Sequence, residues 1–201
     1  MNTILTIHRG LFAAAILAVL LGACAGVGGQ PTSSPGPTAT TEATAAPTPS
    51  PNSLPPLTQT FTSTLHGISV SYPEGWSALA ATEPWTDSTF ALGFLAPDAD
   101  FLYDPTLTSD LFLTMASQPI GDSTPEHWVA AQMASDEGCT ATEPVAVNAA
   151  SGLIGSAGCN VAVVTTAGRG YWIQLYTGSD APVAYDMAWF KEVLATVQLH
   201  P

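Results

Sequence analysis

Positive charge is nearly missing from this chain. Of 201 residues only Arg9, Arg169 and Lys191 carry a fixed cation, against 16 aspartates and glutamates. Nucleic acid and anionic lipid head groups are gripped through clustered lysine and arginine, so direct binding to either is excluded. The acids are scattered along the sequence and read as a solubilising surface. Histidine is scarce as well: His8, His66, His127 and His200 include no pair at metal-ligand spacing, so no metal and no cofactor are expected. There is no Gly-x-Ser-x-Gly elbow and no His-Glu-x-x-His, and the glycine run Gly152-Leu-Ile-Gly155-Ser-Ala-Gly158 lacks the lysine of a phosphate loop. Serine hydrolase, zinc protease and nucleotide hydrolase readings therefore have no support.

Long apolar runs are also rare, and the one present is short. After a polar start with His8 and Arg9, an apolar core of 13 residues runs from Leu11 to Ala23. A membrane span needs ~20 apolar residues, whereas a short core behind a positive segment has the build of a signal peptide. Residues 1–23 are read as such a leader. Leu21-Gly22-Ala23-Cys24 then sets small residues directly before a cysteine and resembles the lipobox of bacterial lipoproteins. That resemblance implies lipidation at Cys24, a membrane anchor and an extracytoplasmic location. More than one acyl chain suffices for stable attachment.

Residues 24–58 consist almost wholly of Pro, Thr, Ala, Ser, Gly and Gln. Such a segment cannot bury enough surface to offset its chain entropy, so it is expected to be a disordered tether with a reach of ~30 Å or more. Residues 59–201 change character, with apolar segments divided by turn residues, and are expected to form one folded domain. Ile68, Val70 and Tyr72 alternate with serines in a strand closed by Pro73-Glu-Gly75. Further strands are expected at 90–95, 111–116, 145–147 and 153–156, and a hairpin at 160–166 and 171–177 turning through Ala167-Gly-Arg-Gly170. Ser123-Thr-Pro-Glu126 has the signature of a helix start before 127–134, and a second helix is expected over about 182–195 with Ala184, Trp189, Val193 and Leu194 on its apolar stripe. Hairpin-linked strands with two helices point to an α+β class, an antiparallel sheet covered on one face.

The segment Gly67-Ile-Ser-Val-Ser-Tyr-Pro-Glu-Gly-Trp76, the central helix, the late hairpin and the closing Phe190-Lys-Glu-Val-Leu-Ala-Thr-Val-Gln-Leu199 together resemble the PsbP-like family over about 61–199. The resemblance implies an α-β-α sandwich, an antiparallel sheet flanked by helices. That family includes lipoproteins as well as extrinsic subunits of the photosynthetic oxygen-evolving complex. The photosynthetic members dock through basic residues, which this chain lacks. The Tyr-Pro-x-Gly-Trp turn ends a strand and buries an indole, so it speaks for fold before function.

Cys139 and Cys159 remain once Cys24 is assigned to lipid. In an oxidising exterior they are expected to form a disulfide, the alternative being two separate buried thiols. Asp98, Asp100 and Asp104 imitate the first ligands of a calcium loop but lack its central glycine and closing glutamate, so a solvated acidic loop is expected. Trp76 and Trp189 are assigned to the core. Trp85, inside the polar Glu83-Pro-Trp-Thr-Asp87, is expected on the surface as a binding residue, with His127 on its helix as a second candidate. No catalytic residue is expected. The expected function is a non-catalytic binding or interaction domain on a lipid anchor, meeting an envelope protein or a small ligand. An enzyme with dispersed residues and a structural envelope lipoprotein are the alternatives.

Overall fold

The chain divides into two units, 1–46 and 47–201. The computed structural model describes residues 54–86, 94–107, 110–136, 139, 141–155 and 159–201, all in the second unit. Cys24 and the leader lie outside them, as do most of the strand expected at 90–95 and residue 156 of the strand expected at 153–156. Among the described residues no helix is long and apolar enough to cross a membrane.

A seven-stranded antiparallel sheet forms the middle layer, in the order β3 (Ser77–Leu79), β4 (Asp100–Tyr103), β5 (Leu111–Pro119), β9 (Arg169–Thr177), β8 (Val161–Thr166), β7 (Ala150–Gly155), β6 (Thr142–Val147). A second sheet has three strands, β1 (Leu57–Ser63), β2 (Ile68–Pro73) and β10 (Gln198–Leu199), with β2 in the centre. β1 begins at Leu57, two residues inside the segment read as tether. Pro144 sits in β6, at the sheet edge, where a missing N–H costs no ladder bond.

Alternation along the strands feeds two separate cores. Phe101, Phe112, Val163 and Trp172 face one way and pack with Trp85 and with Trp128, Val129 and Met133 of helix α1 (Pro125–Ser135). Leu102, Leu113, Val164 and Ile173 face the other way, toward Ile68 and Val70 of β2 and Trp189, Phe190 and Val193 of helix α2 (Met187–Leu194). Both faces of the large sheet are therefore covered. This departs from the single covered face that the element pattern suggests and roughly fits the helix-flanked sheet implied by the resemblance, with α1 on one face and α2 sharing the other with the small sheet. The reason lies in β4, β5, β8 and β9, which are buried at nearly every position and so must be sheltered on both sides.

Helix α1 starts as its sequence predicts: the Thr124 side chain accepts from the His127 N–H, and Pro125 and Glu126 follow in the first turn. Helix α2 starts later than expected, because the Asp186 carboxylate caps it by accepting from Ala188 and Trp189 N–H. Ala184 therefore lies outside the helix and exposed, and Phe190 takes its place in the stripe. The β8–β9 hairpin turns on Ala167 and Gly168, with φ of 48° and 75°, the two-residue turn that suits strand twist. Arg169 and Gly170 belong to the ladder instead. Gly170 is needed there because a Cβ would fall inside the Trp128 indole.

Candidate functional site

Two places gather polar chemistry. The first is a buried joint between the β1–β2 turn and the large sheet. Gly67, at φ 63°, closes the turn, with its N–H donating to Ser63 O at 3.1 Å, and His66 is thereby turned inward until only 1% of it is exposed. The Ser117 N–H donates to His66 Nδ1 at 3.0 Å, so the ring proton is assigned to Nε2, which faces Asp98 O at 3.1 Å. The Ser117 hydroxyl donates to His66 O at 2.8 Å and accepts from Arg169 Nε at 2.9 Å. Asp100 is wholly buried alongside, its Oδ1 accepting from Ala81 N–H at 2.8 Å, while Oδ2 reaches no partner at hydrogen-bond distance. Burial pushes the Asp100 carboxyl above the usual carboxylate range. The Ala81 N–H, and from farther off Ser63 and His66, pull it back down.

A hydroxyl, an imidazole and a carboxylate thus meet in the fold, the composition of a hydrolytic triad. Their bonding is not that of one. The Ser117 proton is committed to a carbonyl, Nδ1 is filled by an amide N–H, and Ser63, His66, Asp100 and Ser117 are all at most 2% exposed. His66 Nδ1 lies 3.5 Å from Ser117 Oγ, but a general base must also take its nucleophile's proton and meet substrate, and here that proton goes to His66 O while burial shuts substrate out. The cluster is a structural joint that pins the small sheet to β4, β5 and β9.

The second place is open to solvent. Helix α1 ends at Asp136, beside the Cys139–Cys159 disulfide that sequence leads one to expect. The Trp172 Nε1–H donates to Gln174 Oε1 at 3.4 Å, and Gln174 Nε2 donates to Asp136 Oδ2 at 3.4 Å, so the indole orients the amide and the amide meets the carboxylate. Two residues further along the same face of β9, Tyr176 stacks on Phe112 with centroids 4.8 Å apart and planes 16° from parallel. Phe112 is held in turn by Phe94 at 5.1 Å and Phe101 at 5.7 Å. Tyr176 keeps 40% of its surface exposed. Asp136, Cys159, Asn160, Gln174, Tyr176 and Thr177 line a cleft of about 160 Å³ here. Asp136 and both sulfurs lie within 4.8 Å of one another, which is metal-ligand proximity, but the sulfurs are bonded to each other and so do not ligate.

The structure treats the expected site residues unequally. Trp85 is a correction: it is 2% exposed and packs edge-on against Trp128, with centroids 6.0 Å apart. Its polar neighbours misled because Thr82 and Glu83 N–H both donate to Pro97 O, at 2.8 and 3.0 Å, folding the segment back onto the sheet. His127 is exposed on the first turn of α1, so the two do not share a surface. The acidic loop is also different from its expected form. Asp100 is interior, Asp98 lends its carbonyl to His66, and Asp104 accepts from the Thr106 N–H and hydroxyl at 2.8 and 2.6 Å. Sequence reasoning missed Asp136, Gln174 and Tyr176. The alternation of Trp172, Gln174 and Tyr176 along β9 was the available signal, since it sets all three on one face.

No family model matches the chain, and no curated protein does. Among solved structures it is similar to the solution structure of cyanobacterial PsbP (CyanoP) from Synechocystis sp. PCC 6803, at 14% identity and a TM-score of 0.44, over 71% of this chain and 92% of that one. It is also similar to a crystal structure from Bacteroides thetaiotaomicron VPI-5482, at 11% identity and a TM-score of 0.43, over 71% of this chain and 48% of that one, so it spans about half that protein's length.

Proposed function

We propose that the chain is an exported lipoprotein, held on the extracytoplasmic face of a membrane through Cys24, whose folded domain binds its target without turning it over. The observation that carries the binding reading is a division of labour among the polar side chains. The imidazole, hydroxyl and carboxylate that could exchange protons are sealed in the joint around His66, while the accessible cleft offers Asp136, Gln174 and the Tyr176 ring with no base paired to a nucleophile. Recognition needs a few convergent polar groups beside apolar surface, and the cleft has that make-up. The anchor reading rests on the leader and the Leu21-Gly22-Ala23-Cys24 motif.

Each half has its own test. Cys24→Ala is expected to move the protein from membrane to soluble fraction and to abolish labelling by radioactive fatty acid. Retention of the variant in carbonate-washed membranes, with no label on wild type, would refute the anchor. For the domain, a photoreactive residue at position 176 is expected to cross-link a cell-envelope component, and one at the fully exposed Val183 is not. A hydrolase or transferase activity of the purified protein that disappears in Ser117→Ala would overturn the non-catalytic reading and restore the enzyme alternative.

A further inference from the structure

We infer that the cleft beside the disulfide is a carbohydrate subsite, taking one neutral pyranose ring stacked on Tyr176. This deepens the binding reading above and rests on it. An anion is disfavoured by charge: among the described residues no lysine, arginine or histidine lines the cleft. The two cations among the described residues are engaged elsewhere, Arg169 on Ser117 and Lys191 on Glu143 at 2.7 Å. Among the described residues a metal cation would find a single carboxylate, because the neighbouring sulfurs are joined to each other. A purely apolar ligand would cover the Asp136 carboxylate without offering it a hydrogen-bond donor, which is costly for a charged group. What fits is a neutral molecule with hydroxyls on its edge and an apolar face.

A pyranose has both. Its axial C–H groups form a flat apolar face that packs on an aromatic ring, and its equatorial hydroxyls both donate and accept. Tyr176 supplies a ring already held on one side by Phe112, so little side-chain freedom is lost when a sugar covers the other. The carboxylate accepts charge-assisted bonds from sugar hydroxyls, and the Gln174 amide is preset by the Trp172 indole and by Asp136 itself. The volume of about 160 Å³ is of the order of one ring, so a glycan would present a single residue or its end here.

The experiment titrates the soluble Cys24→Ala chain with cellopentaose, maltopentaose and chitopentaose, by calorimetry and by amide chemical shifts. Binding of at least one at a Kd of about 1 mM or tighter is expected, with shifts centred on Asn160, Gln174 and Tyr176. The three arms separate neutral glucans from N-acetylated glycans of the cell-wall type. Tyr176→Ala should weaken binding at least ~10-fold, Tyr176→Phe should keep it within ~3-fold, and Asp136→Asn should weaken it, all with unchanged melting. No binding of any oligosaccharide, or shifts that avoid β9, overturns the sugar assignment. Tyr176→Ala binding as well as wild type does the same. The cross-link at 176 would then still report whether the face binds something else, so failure of the ligand class and failure of the binding reading are distinguishable. The shift map on wild type stands even if a variant unfolds.

Discussion

At the scale of single residues, the surprise is where ionisable groups are kept. A chain with few charges places one of its carboxylates, Asp100, at zero exposure and pushes its pKa up by burial. A group whose folded pKa lies above its unfolded value binds more protons when folded, so stability is fullest below the ordinary carboxylate range and falls as pH rises through the raised value. Asp100→Asn keeps the acceptor for Ala81 N–H and removes the titration. Urea denaturation between pH 4 and 7 should show the variant gaining on wild type as pH rises, and parallel curves would disprove the assignment. Asp100 was illegible in the sequence because Asp98-Ala-Asp100 looks like a wet acidic loop, and nothing local says that Ala81 will come back to meet it. Trp85 failed for the same reason in reverse. Its polar neighbours are local, whereas its burial partner Trp128 is 43 positions away in sequence. All five tryptophans are in fact interior, so the aromatic surface that sequence suggested for docking is spent on the two cores.

At the scale of elements, legibility followed length and alternation. Strands β2, β5, β8 and β9 and helix α1 carry strong periodicity or capping signals, and each lies close to its expected span. β3, β4 and β10 have three, four and two residues, too short to show a period, and β4 hides behind its aspartate. The hairpin was legible, but the expected turn Ala167–Gly170 is two residues longer than the observed one, because the glycine on each side of Arg169 suits a turn while Arg169 and Gly170 in fact pair in the ladder. An alanine at φ 48° is held in a conformation that costs an L-residue roughly 1 kcal/mol. Ala167→Asn creates the Asn-Gly pair that this turn prefers and should stabilise the domain by about 0.5–1 kcal/mol. A chemical denaturation midpoint that stays put or falls would count against this turn geometry.

At the scale of the whole molecule, the cysteines act on an entire flank. The bridge spans a sequence separation of 20 and closes into one loop the hairpin β6–β7, which makes the edge of the large sheet. Restricting the unfolded chain in this way contributes up to ~3 kcal/mol for a loop of that size. Reduction should lower the denaturation midpoint accordingly while far-ultraviolet circular dichroism keeps its native form, and an unchanged midpoint would deny the bridge any role in stability. The cleft was less legible than the fold because it is assembled from the end of a helix, a strand face and the bridge, three parts that no local pattern links. The arrangement of the small sheet has a mechanical consequence. β1 is an outer strand paired with β2 alone, and Leu57, paired with Pro73, stands at the end of the ladder away from the turn. A pull on the chain ahead of Leu57 therefore opens that ladder like a zipper, one pair at a time from Leu57 toward Ser63, and does not shear all its bonds together. β1 is thus the strand such a pull peels first, while β2, still held by β10 and by the joint at His66, stays in place.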